Sequence, residues 1–535
     1  MFNTKALEQS LYNQLKATPG DLKEWENEMY LMDPEVVETF WEEVKAAPHI
    51  EVVGDYDVDG ICATYIMIKA ILMMYPEKKV VARIPRRFSE GYGINPTIAG
   101  EIKEKLPKKS LIITVDNGIA AAPVLEDLKT SGYHVIVTDH HELGTNKIPD
   151  VDLVVNPTIH KDMFQNQKWC GACVAYKLVE QIVPQQLAHT LSVFAGLATV
   201  SDCMELREGN WGIVRNAIKA FRNNTAPESL SVLIMKMNQD PLFCTEETFS
   251  YYLGPAFNAP GRLMDKGATS VLKYLFKPTP EGSDDIIEIN NKRKEIRDKE
   301  LELVKNTITE KGLSSQCPIW VRVDNLHEGI VGILAGKITE AYGVPAIIMT
   351  NTEKPGILKG SARSAGDFHM LNYLISCGDL YTAMGGHAGA AGLSMKEENF
   401  ILAAKNQVTI PNTTIEATAN STLIHSSEIP SIATTLDIFR PFGEGNPAPV
   451  FAIDIDASVD KPTMIGEQKN HLAIEGPGRK YKVTHFFHEP NELANKSRFE
   501  LIGQIKGTAF RGIETPTFQA QEAIDLYEDK EWGCK

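Results

Sequence analysis

Val52-Val53-Gly54-Asp55-Tyr56-Asp57-Val58-Asp59-Gly60 couples a short apolar run to three carboxylates at alternate positions. The layout recurs in Ile112-Ile113-Thr114-Val115-Asp116-Asn117-Gly118 and in Val135-Ile136-Val137-Thr138-Asp139-His140-His141. A further carboxylate closes Ala198-Thr199-Val200-Ser201-Asp202. The first three apolar runs read as buried parallel strands, with polar residues where each strand ends. In an open α/β sheet those ends line the ligand crevice. Carboxylates and imidazole converging there make a hard, oxygen-rich site, better suited to Mn²⁺ or Mg²⁺ than to zinc or calcium.

Each motif has a plainer explanation. In an extended chain Asp55, Asp57 and Asp59 would face one way, a crowding of like charge that a metal relieves. An acidic Asp-Gly turn uses the same residues. A calcium loop is disfavoured because the segment follows a strand and lacks the downstream glutamate. Asp116 and Asp202, taken singly, read better as helix N-caps than as ligands. Adjacent His140 and His141 point to different sides, so one can bind metal while the other meets substrate. Cys170-Gly171-Ala172-Cys173 has zinc-like spacing but no second pair, so a small-residue helix start is the better reading. Gly360-Ser361-Ala362-Arg363-Ser364 and Gly385-Gly386-His387 read as small-residue loops with a cation, able to approach a phosphate or to serve as ordinary turns. Ile84-Pro85-Arg86-Arg87-Phe88 adds basic residues near the first sheet.

The chain has 535 residues, too many for one core, so roughly three or four domains are expected. A 43% hydrophobic and 23% charged composition is that of a soluble globular protein. No apolar run is long enough to span a bilayer, and Met1-Phe2-Asn3-Thr4-Lys5 lacks the layout of a secretory signal. Eight scattered cysteines fit a reducing cytoplasm. A net charge of −16 speaks mildly against nucleic acid, but local basic patches can hold phosphates on an acidic protein.

Five segments are expected. Residues 1–45 read as helical, acidic and peripheral. Residues 46–225 alternate apolar runs with amphipathic segments, as a doubly wound sheet does. Residues 226–312 form a connecting region with one long helix from Asp284 to about Lys311. A smaller α/β unit spans 313–410, with strands at Ile319–Val323 and Ala346–Met349. Residues 411–535 read as short strands of a small β-barrel. The fold class is thus α/β, with a C-terminal barrel.

Together the motifs resemble the DHH phosphoesterase superfamily, named for its Asp-His-His triplet, and within it the RecJ exonuclease family. The four core motifs occur in order, and Gly385-Gly386-His387-Ala388-Gly389-Ala390-Ala391-Gly392 resembles the DHH-associated domain. Further likeness lies in Pro85-Arg86-Arg87 leading to Glu90-Gly91-Tyr92-Gly93, in Asn258 to Arg262, and in His327-Glu328-Gly329-Ile330-Val331-Gly332. Pro441-Phe442-Gly443-Glu444-Gly445-Asn446-Pro447 opens the region resembling the family's OB-fold. Val53 stands where many relatives carry His, Pro260 where Ala is usual, and Cys173 where a small residue is.

The resemblance implies Asp55, Asp57, Asp116, His140 and Asp202 as ligands of two Mn²⁺ or Mg²⁺ ions, with Asp116 bridging. Asp59 and His141 would lie near the scissile phosphate or behind the ligands. Asn258, Arg262 and His387 would touch the DNA backbone, and Arg87, Ser361 and Arg363 would hold a 5′-terminal phosphate. The implied activity is 5′-to-3′ exonucleolytic hydrolysis of single-stranded DNA in repair and recombination, with a helicase or a single-strand-binding protein as further partner. Two other readings compete. A DHH phosphodiesterase for short oligonucleotides or cyclic dinucleotides would lack the barrel, and a replication scaffold would have lost its ligands.

Overall fold

The computed structural model describes residues 3–27, 31–144, 146–165, 167–408, 421–466, 470–486, 497–510 and 513–525. By internal contacts the chain divides into two units, one of residues 1–258, 265–284 and 417–535, the other of residues 259–264 and 285–416.

The first unit opens with three helices, α1 (Thr4–Leu15), α2 (Pro19–Asn27) and α3 (Pro34–Ala46). A five-stranded sheet follows, built from β1 (His49–Val53), β2 (Lys79–Arg83), β3 (Leu111–Val115), β4 (His134–Thr138) and β5 (Leu153–Val155). Its order is β2-β1-β3-β4-β5 with every neighbour parallel. All five residues of β3 are buried, as a strand covered on both faces requires. The helices are α4 (Val58–Met74), α5 (Pro96–Lys105), α6 (Ala122–Thr130), α7 (Gly171–Val179), α8 (Gln185–Ser201) and α9 (Glu208–Arg222). Ile98 and Ile102 of α5 and Leu125 and Leu128 of α6 share a core with Val53, Ile112, Val135 and Val137. α4 is buried from Val58 to Ile68 and reads apolar all round, as a central helix does. This is the expected doubly wound sheet.

The N-terminal helices are not peripheral. Leu11, Leu15, Leu22 and Trp25 lie in one buried cluster with Trp211 of α9 and with Ile453, Phe499, Leu501 and Phe518 near the C-terminus. The acidic residues between them face outward and mask the apolar stripe in composition, though not in periodicity.

The long helix spans Pro280–Glu310, four residues earlier than expected. Thr279 Oγ1 accepts the Gly282 N–H at 3.0 Å, and Pro280 loses nothing at a position where its N–H would be unpaired. Gly312, at φ 64°, follows its end.

In the second unit β6 (Ile319–Arg322), β7 (Ala346–Asn351), β8 (Ile357–Arg363), β9 (Tyr381–Gly386) and β10 (Ala390–Lys396) form a sheet of order β6-β7-β8-β10-β9. Only β6 and β7 pair in parallel. Gly360 to Arg363 and Gly385-Gly386, expected as loops, are strand residues. A Cβ on Gly360 would lie 2.4 Å from the Ile348 carbonyl oxygen, so the small residue serves close strand packing rather than a turn.

The C-terminal sheet belongs to the first unit. Its strands are β11 (Thr422–Ile424), β12 (Phe451–Asp456), β13 (Thr463–Ile465), β14 (His471–Glu475), β15 (Lys482–Phe486), β16 (Arg498–Phe510) and β17 (Ile513–Asp525). Their order is β11-β12-β16-β17-β15-β14-β13. No helix among the described residues is long and apolar enough to cross a membrane.

Candidate metal centre

The site forms at the carboxyl ends of β1, β3 and β4, where the strand pattern placed it. The three carboxylates after β1 do not form an extended ladder, because the chain turns into α4 at Val58. Asp57 is the N-cap of α4 and accepts the Gly60 N–H at 3.1 Å. Asp59 lies in the first turn. Its two oxygens accept the N–H groups of Gly171 at 2.6 Å and Ala172 at 2.7 Å. A carboxylate there stabilises the start of α7 through charge-assisted bonds and the helix dipole. The Cys170-to-Cys173 stretch is therefore a helix start, with Cys173 Sγ 3.2 Å from Thr199 Oγ1.

Neither Asp116 nor Asp202 is an N-cap. Asp116 follows β3 with a left-handed φ of 61°, a strained conformation for a side-chain-bearing residue. Gly171 makes room for it, since a Cβ there would sit 2.5 Å from the Asp116 Cβ. Asp202 is the C-cap of α8, an end where the helix dipole disfavours a carboxylate. Asp139 follows β4 and accepts N–H groups from Ile119 at 2.9 Å, His140 at 2.7 Å and His141 at 3.1 Å. It also holds His141 Nδ1 at 2.8 Å.

His140 Nε2 lies 3.2 Å from Asp116 Oδ1, 3.6 Å from Asp59 Oδ2 and 3.7 Å from Asp202 Oδ2. Three sets of ligand atoms, each within 4.8 Å of one another, can be drawn: Asp55, Asp57 and Asp116; Asp116, His140 and His141; Asp59, His140 and Asp202. Asp116 belongs to two of them.

The electrostatics favour a cation. Burial, and then the charge of neighbouring carboxylates, pushes Asp55 and Asp116 well above the usual carboxylate range. Asp57 is raised by the same causes, and Asp202 is pushed up to about 8. Burial lowers His140 towards the neutral, ligating form, against the pull of Asp59. Burial would lower His141 too, but its hydrogen bond to Asp139 raises it to about 9. Oδ1 of Asp55 and Oδ1 of Asp116 are buried and make no hydrogen bond. Buried carboxylate oxygens left in this way, beside one imidazole nitrogen, suit a divalent ion of the Mn²⁺ or Mg²⁺ kind.

Other expected residues border this centre or lie in the second unit. The Arg87 guanidinium stacks 4.8 Å from the Tyr56 ring centroid, and its charge acts on Asp55. Asn258 Oδ1 accepts the Val58 N–H at 3.2 Å, at the start of α4. In the second unit Arg363 Nη1 donates to Ser361 Oγ at 3.2 Å and to the Ala362 carbonyl at 3.0 Å. Both side chains face Gly332, in the first turn of the helix Val331–Tyr342. A Cβ there would lie 3.2 Å from Ser361 Oγ and 3.3 Å from Arg363 Nη2. Arg262 Nη1 reaches the Gly329 carbonyl at 3.4 Å, and exposed His387 accepts the Gly389 N–H at 3.2 Å through Nδ1.

Two residues had no role in the sequence reading. Asn117 is wholly buried and ties the end of β1 to β3, donating to Val53 O at 3.0 Å and Val115 O at 2.9 Å and accepting from Ile94 N at 3.0 Å. Tyr92 OH lies 3.3 Å from Asp116 O and 3.4 Å from His141 Nε2. Both stand inside quoted motifs, which was the available signal.

Three family models match in series: the DHH family N-terminal domain over residues 49–200, the DHHA1 domain over 316–409 and the RecJ OB domain over 424–522. The single-stranded-DNA-specific exonuclease RecJ of Bacillus subtilis is 29% identical over 89% of this chain, and that of Salmonella typhimurium 31% over 68%. The chain spans 61% and 66% of the length of these two relatives. The crystal structure of Thermus thermophilus RecJ in complex with Mn²⁺ shares the fold, with a TM-score of 0.73 at 23% identity, over 97% of this chain and 78% of that one.

Proposed function

Given that the chain belongs to the DHH family and carries its domains in the RecJ order, we propose that it is a metal-dependent exonuclease. It hydrolyses single-stranded DNA from the 5′ end, in the cytoplasm, in repair and recombination, where a helicase or a single-strand-binding protein would supply or present the strand. The observation that carries this reading is the pair of buried, unbonded oxygens on Asp55 and Asp116 in a carboxylate cluster facing His140.

Asp55, Asp57, Asp116, His140 and Asp202 would hold two Mn²⁺ or Mg²⁺ ions, and the membership of Asp116 in two ligand sets supports a bridging role. Bound ions of this kind polarise a phosphodiester and lower the pKa of water into the neutral range. The chain's own residues do the rest. Asp59 binds the start of α7 with both oxygens and so anchors the floor of the site. Asp139 holds His141 Nδ1 and so orients the ring, leaving Nε2 beside Tyr92 to face the phosphate and give a proton to the leaving 3′-oxygen. Ser361, Arg363 and the helix start at Val331 offer a terminal phosphate paired, charge-assisted donors. Arg87 would offer the DNA a cation beside Asp55. Asn258, Arg262 and His387 would follow the strand's backbone, and the C-terminal sheet would add stacking and grip.

Digestion of 5′-labelled and 3′-labelled single strands with Mn²⁺, Mg²⁺ or a chelator tests the proposal. Metal-dependent release of the 5′ label first is expected. Release of the 3′ label first, or equal rates in chelator, would overturn it.

A further inference from the structure

Asp202 stands in the metal centre without a hydrogen bond from the described residues to fasten its carboxylate, and His140 Nε2 approaches it at 3.7 Å. Asp57, Asp59 and Asp139 are fastened by hydrogen bonds, whereas none from the described residues reaches the Asp202 carboxylate. Its place depends on the backbone that carries it, at a helix end where a negative charge is disfavoured.

That backbone is held from outside the parallel-sheet region. Cys203 turns the chain with a φ of 54°, and Met204 N closes on Thr199 O at 3.1 Å. Leu206 N then donates to Glu444 O at 2.7 Å. Arg207 grips two carbonyls at once, through Nε to Gly445 O at 3.0 Å and through Nη2 to Gln14 O at 3.1 Å. Gln14 Nε2 completes the ring with Asn446 Oδ1 at 2.7 Å and Pro447 O at 2.9 Å. Asn446 is itself wholly buried and ties down Phe439 O and Pro441 O. Gly445 has a φ of 71°, and a Cβ there would sit 2.3 Å from Glu205 Cγ. The loop after Pro441 thus presses directly on the residues behind Asp202.

We propose that Arg207 is a positioning residue for the metal centre: by clasping the Gly445 and Gln14 carbonyls it fixes the Cys203–Leu206 backbone, so that the loop after Pro441 and the N-terminal helix together set where Asp202 stands. This rests on the metal-centre reading of the proposed function. The bland alternative is that Arg207 is interface glue.

Arg215, further along α9, separates the two, because it makes the same kind of double contact away from Asp202. Its Nη1 donates to Asp437 O at 2.6 Å and its Nε to Glu26 Oε1 at 3.3 Å. Full-length wild type, Arg207→Ala and Arg215→Ala are compared by calorimetric Mn²⁺ titration and by turnover of short single-stranded oligonucleotides. Arg207→Ala is expected to weaken Mn²⁺ binding by about tenfold, the size seen when groups behind metal ligands are removed, and to lower kcat without raising KM. Arg215→Ala should leave both as in wild type while costing similar thermal stability. If Arg207→Ala does not fold, Arg207→Lys carries the same expectation at smaller size, since a lysine cannot hold two carbonyls through separate nitrogens of a rigid fork. Wild-type Mn²⁺ affinity in the Arg207 variant, or an equal loss in the Arg215 variant, would overturn the proposal. A wild type that binds no Mn²⁺ would instead defeat the metal-centre reading on which it stands.

Discussion

The sheet end that carries Asp55, Asp116 and His140 and the core that joins Leu11, Trp25 and Trp211 to Phe499 and Phe518 belong to one unit, yet they obey different rules. At the sheet end the arrangement opposes stability, with buried like charges and oxygens that make no hydrogen bond. In the shared core, apolar surface is simply removed from water. The first region calls for a compensating positive charge, and the second needs nothing but itself. Away from the Arg207 clasp, function and fold strength are therefore separable by substitution, and the contrast can be broken or sharpened in measured steps.

The largest effect is expected at the sheet end. Asp116→Ala should lower turnover by several orders of magnitude, because it disturbs both ions at once. Far-ultraviolet circular dichroism of the variant should match wild type, and normal turnover in the folded variant would remove the two-ion assignment. Truncation before Thr422 is the matching test of the shared core. If the barrel region merely added grip, the remainder would still cut very short oligonucleotides. Because Leu11, Leu15, Leu22 and Trp25 lose their buried partners, the truncated chain is expected to lose cooperative unfolding instead. Retained short-substrate turnover with a sharp transition would contradict this.

Trp25→Ala is a smaller probe of the same core. Trp25 is 8% exposed and packs edge-on against Trp211, with ring centroids 5.9 Å apart. Its removal should cost about 3–5 kcal/mol in urea unfolding while Mn²⁺ affinity stays as in wild type. A loss of metal affinity as large as the loss of stability would show that the regions are not separable in this way. Arg363→Ala should act on neither region. It should reduce the preference for 5′-phosphorylated over 5′-hydroxyl ends by roughly 1.5–3 kcal/mol in a competition assay, the worth of a charged hydrogen bond. An unchanged preference would leave Arg363 as a local brace for Ser361.

The contrast also explains what could be read from the amino acids. Asp55, Asp116, Asp139 and His140 were legible because each follows a β-branched run, and parallel strands deliver their ends to one edge. The turn at Val58 was not, because an Asp-x-Asp-x-Asp pattern is the same string whether the chain runs on or caps a helix. Asp59 therefore looked like a third group facing the same way, and its role at the start of α7 depends on Gly171, more than a hundred residues on. Gly360 and Gly386 read as turn formers, but glycine also permits close strand packing, and composition does not separate the two uses. The acidic N-terminal helices looked peripheral because their partners, from Trp211 to Phe518, lie far along the chain. Local periodicity reveals that a face is apolar, not what covers it.

Thermal unfolding of wild type and Asp116→Asn, each in chelator and in Mn²⁺, tests the central claim most directly. Asp116 is raised in the folded state, so its protonated form stabilises the fold, and that stability is lost as pH rises through the folded value. In chelator the Asn variant, which cannot ionise, should unfold at a higher temperature than wild type, by a margin that widens as pH rises. In Mn²⁺ the order should reverse, with wild type gaining far more. A wild type that is already the more stable protein in chelator, or that gains nothing from Mn²⁺, would contradict a site built to hold cations.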